Sequence, residues 1–258
     1  MANKVFTISD LSFSYGGRQI FKGLSLDLHE GVVTTLIGAN GSGKTTLFNL
    51  MTKNLKPQAG RVFLRGGDVG MLRLRDFAKL VAIVHQHNTA PSDLSVENLV
   101  GYGRFPYRGI GLRQDAGEDE RMVRWALETT GLADVAGQPV SSLSGGQAQR
   151  VWIAMALAQG SKVLLLDEPT TYLDIRYQVD ILRLVRRLNE EFGMTVVMVL
   201  HDINQALRYS DEVVALAGGR IAAQGDPGEI VTSALIKEVF GVALEIADLG
   251  GKPFVLAV

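Results

Sequence analysis

The sequence contains no cysteine and no excess of charge of either sign, and both deficits narrow the range of possible functions. Without cysteine there is no disulfide framework, no thiolate metal site and no cysteine nucleophile, so stability must come from core packing. The 26 Lys and Arg residues against 27 Asp and Glu residues leave a formal charge of −1. Because no overall basic field is present, we expect no nucleic-acid partner, and any bound anion must be held locally.

Long apolar runs are also missing. The longest runs, such as residues 151–158, are much shorter than the ~20 residues that a bilayer-spanning helix needs. Residues 1–10 alternate polar and apolar side chains and lack the unbroken apolar stretch of a secretory signal. We therefore expect a chain that does not itself cross a membrane and is not exported by that route.

The composition is otherwise typical of a folded domain. The 258 residues are 47% hydrophobic and 21% charged, close to the globular average, and this length predicts one large domain or a domain with an added lobe. Alternating patterns predict antiparallel strands from residue 5 to residue 28, joined in a hairpin by a turn at Gly16-Gly17. Continuous apolar runs at 32–37 and 163–166 predict buried parallel strands. Residues 88–160 form a predicted helical lobe with helices at 117–130 and 146–159. Residues 211–258 form a predicted hairpin, a short helix near 230–240 and a final strand.

A glycine-rich loop lies between a predicted buried strand and a predicted helix. Residues 38–45 fit the pattern G-x-x-x-x-G-K-S/T, whose glycines let backbone N–H groups surround a phosphate at the start of a helix. Lys44 would reach the outer phosphates, and Thr45 would offer a hydroxyl to Mg²⁺. An ordinary glycine-rich turn is the alternative, but the strand-loop-helix context favours phosphate binding. The candidate residues are Gly38, Asn40, Gly41, Ser42, Gly43, Lys44, Thr45 and Thr46.

Two carboxylates follow the apolar run 163–166, at the strand end where open α/β sheets bind ligands. Asp167 would hold Mg²⁺ through water. Glu168 would accept a proton from, or orient, the water that attacks a γ-phosphate, because phosphoryl transfer depends mainly on positioning. The alternative for this pair is helix capping before Pro169.

A second candidate anion site lies 100 residues after Lys44, at residues 143–147, which read Leu-Ser-Gly-Gly-Gln. Ser144 and Gln147 have the spacing of a capping box that opens a helix. Two adjacent glycines weaken a first helical turn, which favours a further purpose for Gly145 and Gly146. Exposed N–H groups at this helix start would bind another anion.

Together these motifs resemble the nucleotide-binding subunits of ATP-binding cassette (ABC) transporters over nearly the whole chain. The resemblance implies an α/β fold with a P-loop NTPase core and mostly parallel central sheet, an N-terminal antiparallel β subdomain and an inserted α-helical subdomain. All of 1–258 would then be one ABC ATPase domain. The resemblance also implies a head-to-tail dimer with a second copy, in which Ser144, Gly145, Gly146 and Gln147 of one copy close on ATP held by the other.

The resemblance assigns roles to four further residues. Gln86 would bind Mg²⁺ or the attacking water and link it to the membrane partner, and His201 would contact the γ-phosphate. Asp174 would signal across the dimer, and Tyr15 would stack on adenine. Each has a plainer alternative, since Tyr15 could pack within its hairpin and His201 could be an ordinary strand-end histidine.

His85 and His87 flank Gln86 and form a weak candidate zinc pair, because no third ligand is in view.

Residues 103–107, 168–174 and 200–206 look like those of the ferric-siderophore importer branch, with vitamin B12 and haem importers close by. This implies separate permease subunits as partners, an indirect link to a periplasmic or extracellular solute-binding protein, and a peripheral location at the cytoplasmic face of the inner membrane. Met71, Phe77 and residues 88–107 would line the groove for a permease helix.

A soluble ABC protein of translation or DNA repair is the alternative, but the spacing between residues 44 and 144 leaves no room for the long insertion that such proteins carry. A kinase or GTPase would leave residues 143–147 unexplained.

Overall fold

The computed structural model describes residues 3–108, 116–250 and 253–256. In chain order, its strands and helices are β1 (Lys4–Tyr15), β2 (Arg18–His29), β3 (Val33–Gly38), α1 (Lys44–Met51), β4 (Ala59–Leu64), β5 (Gly67–Asp68), α2 (Leu74–Leu80), β6 (Val81–Val84), α3 (Val96–Gly101), α4 (Ala116–Thr130), α5 (Gly145–Ala158), β7 (Val163–Asp167), α6 (Ile175–Phe192), β8 (Thr195–Val199), α7 (Ile203–Tyr209), β9 (Glu212–Ala217), β10 (Arg220–Gly225), α8 (Pro227–Ile230), α9 (Ser233–Phe240), β11 (Glu245–Asp248) and β12 (Pro253–Leu256). The chain divides into a first unit, Met1–Leu72 with Asn189–Val258, and a second unit, Arg73–Leu188.

The first unit begins with an antiparallel sheet in the order β2-β1-β4-β5. Strands β1 and β2 pair up to Tyr15 and Arg18, so the predicted hairpin around Gly16-Gly17 is confirmed. Along β2 the side chains of Leu24, Leu26 and Leu28 are buried and alternate with more exposed residues. This alternation is what a sheet with one face on the core requires.

The second sheet of this unit holds the buried strand predicted before the glycine loop. Strand β3 pairs in parallel with β8 and with β9, and β9 pairs antiparallel with β10. Every residue of β3 and of β8 is buried, as expected for central strands that are covered on both faces. The chain passes from β3 through residues 39–43 into α1, so the predicted strand-loop-helix order is confirmed.

The end of the first unit differs from the prediction of one helix followed by a lone strand. The predicted helix near 230–240 is present as α9, and a further short helix, α8, precedes it. The two are separate because Thr232 is extended and its side chain caps α9 by accepting from Leu235 N–H. The last strand, β12, pairs antiparallel with β11, which the sequence analysis did not identify. Residues 251–252 and 257–258 of the predicted tail lie outside the described residues.

The second unit contains the parallel pair β6 and β7 and the helices α2 to α5 with most of α6. The predicted helices at 117–130 and 146–159 are confirmed within one residue as α4 and α5, whereas α2 was not predicted. Along α5 Val151, Ile153 and Ala154 are fully buried, as expected for a helix that is apolar nearly all round. Residues 109–115 of the predicted helical lobe lie outside the described residues.

A buried arginine joins three segments of the helical lobe. Arg104 is only 2% exposed, and its Nε lies 2.7 Å from Asp119 Oδ1 in α4. Its Nη1 donates to the carbonyl of Ala158 at the end of α5 at 3.0 Å, and its guanidinium lies 4.0 Å from the ring centroid of Tyr107. Gly103 and Arg104 therefore belong to the core of the lobe. In the same way Phe77, predicted to line a permease groove, is 3% exposed and packs in the core.

Within the described ranges, no helix combines the length and hydrophobicity that crossing a bilayer would demand.

Candidate functional site

The glycine loop closes tightly on itself between β3 and α1. At Gly38 a Cβ atom would lie 2.5 Å from Ser42 Oγ, so a side chain there would collide with the far side of the loop. At Gly43, where φ is 108°, a Cβ would lie 2.7 Å from the Phe21 ring. Both positions therefore require glycine. The loop leads directly into the first turn of α1, whose N–H groups lack intrahelical partners and point towards any anion bound there.

Two polar side chains are buried within this loop. Lys44 is 5% exposed, and its Nζ donates to the carbonyls of Gly38 at 2.7 Å and Ala39 at 3.1 Å. Ser42 Oγ is buried and has no hydrogen-bond partner among the described residues. Leaving such a group unpaired costs about 1–3 kcal/mol, and a phosphate oxygen would supply the missing acceptor. The loop thus fits a phosphate group by its backbone, its charge and an unsatisfied donor.

The remaining predicted residues of the first unit are more exposed. Thr45 and Asn40 are exposed, whereas Thr46 is buried in α1. Tyr15 is 49% exposed, and its ring meets that of Phe13 edge to face at a centroid distance of 4.9 Å. Tyr15 therefore packs partly within its hairpin while part of its ring stays accessible. His201 is exposed and lies between the end of β8 and the start of α7.

In the second unit the predicted catalytic carboxylate meets the predicted glutamine. Gln86 Nε2 donates to Glu168 Oε2 at 2.6 Å. The reason is the register of β6 and β7, which pairs Val84 with Leu166 and leaves Gln86 and Glu168 each two residues beyond that pair. Since parallel strands end at the same edge of a sheet, these side chains are brought together there.

Glu168 has a second partner that the sequence analysis missed. Thr171 Oγ1 donates to Glu168 Oε2 at 3.2 Å, and Thr171 N–H donates to the carbonyl of Glu168 at 3.2 Å. A hydroxyl three residues after the carboxylate was the available signal, because a turn brings such residues together. Glu168 itself has a φ of 51°, an unusual conformation for a non-glycine residue. Asp167, the last residue of β7, is buried beside it in the chain.

The segment 143–147 forms the predicted capping box at the start of α5. Ser144 Oγ accepts from Gln147 N–H at 3.3 Å, and Gln147 Oε1 accepts from Ser144 N–H at 3.1 Å. Gly145 is exposed, but Gly146 is buried, and a Cβ there would lie 2.2 Å from the ring of Tyr177. Packing alone thus requires glycine at 146. Asp174 is exposed directly before α6, and anion binding by this segment stays a prediction.

The two histidines around Gln86 have different surroundings. Burial lowers the pKa of His85 below its usual value, because the imidazolium form loses hydration. His87 is exposed, and its ring stacks on Tyr172 at a centroid distance of 6.1 Å. The described part of the chain contains no group of three His, Cys, Asp or Glu side chains that could hold a metal ion. Among these residues, His85 and His87 therefore have no third side chain with which to bind zinc.

Comparisons with known proteins agree with these features. The family model described as ABC transporter matches residues 21–171. The chain is 48% identical to the iron(3+)-hydroxamate import ATP-binding protein FhuC of Bacillus subtilis, over 92% of this chain and 87% of that protein. It is 42% identical to the ferric enterobactin transport ATP-binding protein FepC of Escherichia coli, over 95% and 91%. Among solved structures, cbiO1 of Clostridium perfringens, part of the ABC transporter complex cbiONQ, superposes with a TM-score of 0.80 at 32% identity, covering 88% of this chain and 90% of that one.

Proposed function

Because the chain belongs to the ABC transporter family, as an ATP-binding ATPase subunit, we propose that it drives import of an iron(III)-siderophore or a related metal chelate. The cargo class is supported by the functions of two relatives, an iron(3+)-hydroxamate and a ferric enterobactin transport protein, which this chain matches over at least 92% of its length. The observation that supports its chemistry best is the glycine loop with the unsatisfied, buried Ser42 hydroxyl. That hydroxyl is suited to donate to a phosphate oxygen of ATP.

ATP binding then uses the residues of the first unit. Lys44 transfers its hydrogen bonds from the loop carbonyls to the outer phosphates, while the N–H groups at the start of α1 donate to the same oxygens. Tyr15 stacks on adenine through its accessible ring face, and His201 contacts the γ-phosphate. These residues orient the triphosphate, which is the main requirement of phosphoryl transfer.

Magnesium is the proposed metal ion because of the ligand types that this chain offers. Thr45, Gln86 and Asp167 offer hydroxyl, amide and carboxylate oxygens, the ligand types that Mg²⁺ prefers. When bound, the ion would neutralise charge on the β- and γ-phosphates.

Glu168 acts on the attacking water. Its carboxylate is held by hydrogen bonds from Gln86 and Thr171, which fix the direction in which it accepts a proton or orients the water. Such positioning of a general base is effective because proton transfer needs hydrogen-bond geometry first. Gln86 uses its Nε2 for this contact, and its amide oxygen is the atom that would bind a cation.

Two protein partners complete the proposal. A second copy of the chain places Ser144, Gly145, Gly146 and Gln147 against ATP, with Asp174 at the contact between copies. Permease subunits bind an exposed aromatic pair, Tyr102 and Phe105, whose rings stack at 5.0 Å and are 42% and 56% exposed. The chain would then lie at the cytoplasmic face of the membrane as a peripheral subunit, linked indirectly to a solute-binding protein.

The glutamate provides the sharpest test of the catalytic assignment. Glu168→Gln keeps the hydrogen bonds possible at this position but removes the base, so ATP binding should persist while hydrolysis falls by about 10²-fold or more. ATP should also hold this variant as a dimer in size-exclusion chromatography. Normal hydrolysis by the variant would remove Glu168 from its role.

The cargo needs a separate experiment. The chain, tagged and isolated from membranes of its own host, should bring a permease with it, and disruption of its gene should abolish uptake of radioactive iron presented as a hydroxamate or catecholate complex. Unchanged iron-chelate uptake together with lost cobalamin or haem uptake would replace the proposed cargo.

A further inference from the structure

Helix α7 begins two residues after His201 and is joined to the last described strand by one asparagine side chain. Asn204 Nδ2 donates to the carbonyl oxygen of Val255 at 2.9 Å, and Val255 N–H donates to Asn204 Oδ1 at 2.8 Å. The side-chain amide thus pairs with β12 as a neighbouring strand would. Two bonds to one residue fix both the distance and the rotation of the first turn of α7.

The first turn of α7 also forms hydrogen bonds with Asp202, the residue that follows His201. Asp202 Oδ1 accepts hydrogen bonds from the N–H groups of Asn204 at 2.7 Å and Gln205 at 3.1 Å. A continuous series of hydrogen bonds therefore runs from β12 through Asn204 to Asp202. Since His201 precedes Asp202 directly, displacement of Asn204 moves the backbone that carries the imidazole.

Apolar packing supports the same attachment. Val255 is 2% exposed and lies in a small core with Val231 and Ile236, against which Ile203 and Leu207 of α7 pack. With only seven residues, α7 is too short to be stable by itself. Its orientation must therefore come from what it contacts, and the hairpin of β11 and β12 provides polar and apolar contacts on one side.

We propose that Asn204 is a positioning residue for His201, through which the C-terminal hairpin sets the direction of the imidazole towards the γ-phosphate. The inference rests on the proposed function, in which His201 contacts that phosphate. It also gives a physical role to the asparagine of the segment 200–206, which the sequence analysis used only as a mark of transporter class. The hairpin, some 50 residues away in the chain, becomes part of the catalytic apparatus.

The test uses the full chain with Asn204→Leu, which retains the size of the side chain but loses both hydrogen bonds. Steady-state hydrolysis should show kcat lowered about tenfold, because small misplacements of catalytic groups have effects of this size or larger. The affinity for ATP, measured with a fluorescent analogue, should change less than about twofold, since the glycine loop is untouched. Asn204→Asp keeps the acceptor for Val255 N–H and should retain an intermediate kcat.

Two controls separate positioning from general weakening of the fold. In a His201→Ala background, Asn204→Leu should lower kcat no further, because the group that it positions is already missing. Val239→Ala removes buried apolar contacts of α9 outside this small core, since Val239 is 4% exposed and is not part of the cluster around Val255. It should lower the melting temperature but leave kcat near wild type.

Unchanged kcat in folded Asn204→Leu would overturn the inference, as would an equal loss in the His201→Ala background. Absence of hydrolysis in the wild-type chain itself would overturn the proposed function and this inference with it.

Discussion

The two adjacent glycines at the start of α5 should respond in opposite ways to alanine. A Cβ at Gly146 would lie 2.2 Å from Cδ1, 2.3 Å from Cγ and 2.9 Å from Cβ of Tyr177. The last of these atoms cannot move by rotation of the ring, so α6 or α5 must shift. Overpacking of this kind costs about 1–3 kcal/mol. A Cβ at Gly145 would meet only Leu173 Cδ2, at 3.9 Å, which is an ordinary contact.

Helix propensity acts in the same direction at both sites and therefore cancels in the comparison. Alanine is favoured over glycine in a helix by about 1 kcal/mol, and by less in a first turn. Gly145→Ala should thus leave the free energy of unfolding unchanged or raise it by up to about 1 kcal/mol. Gly146→Ala should lower it by up to about 2 kcal/mol, which is the overpacking cost of about 1–3 kcal/mol less a gain in propensity of up to about 1 kcal/mol.

Urea denaturation of the isolated chain, followed by circular dichroism, measures both values under the same conditions. The m-values should agree among the three proteins, so that midpoints can be compared directly. Equal or greater stability of Gly146→Ala relative to Gly145→Ala would refute the packing argument. ATPase activity adds a separate result, because a loss in the stable Gly145→Ala protein would support a ligand contact at that exposed glycine.

Two further predictions concern the stability of the second unit, one for the ion pair of Arg104 and one for the titration of His85. Arg104→Met should lower the free energy of unfolding by about 3 kcal/mol, since the carboxylate of Asp119 loses its buried partner at 2.7 Å and keeps the longer ion pair with Arg108 at 3.6 Å. Addition of Asp119→Asn should restore part of that loss in thermal or urea unfolding, and no restoration would argue against the ion pair. Burial lowers the pKa of His85 below its usual 6.5. As pH falls below that value the unfolded chain binds the proton first, so stability should decline until the lower folded pKa is passed. His85→Gln should flatten this decline in unfolding midpoints measured between about pH 7 and pH 5, and an unchanged slope would exclude His85 as its source.

Features that depend on residues close together in the chain could be predicted. The glycine loop was found because its phosphate-binding conformation uses consecutive residues between β3 and α1. The capping box at Ser144 and Gln147 was found because a helix start brings residues three apart into contact. Helix α2 was missed, since its seven residues bury only Phe77 and leave too short a periodic pattern.

Contacts between distant segments could not be found in the same way. The bond between Gln86 and Glu168 depends on the register of β6 against β7, which local patterns do not determine. Likewise Gly146 is required by Tyr177 of another helix, whereas its sequence neighbours suggested a helix start and an anion site.

Short runs of residues encode the phosphate-binding loop, the positions of the principal buried strands along the chain and the family, so all three could be read without a fold. The folded chain was needed to show which residues hold Glu168, why Gly146 must be glycine, and that the C-terminal hairpin is joined to the helix following His201. Hydrogen bonds and close packing act over a few ångströms, and residues 50 or more positions apart come within that range only after folding.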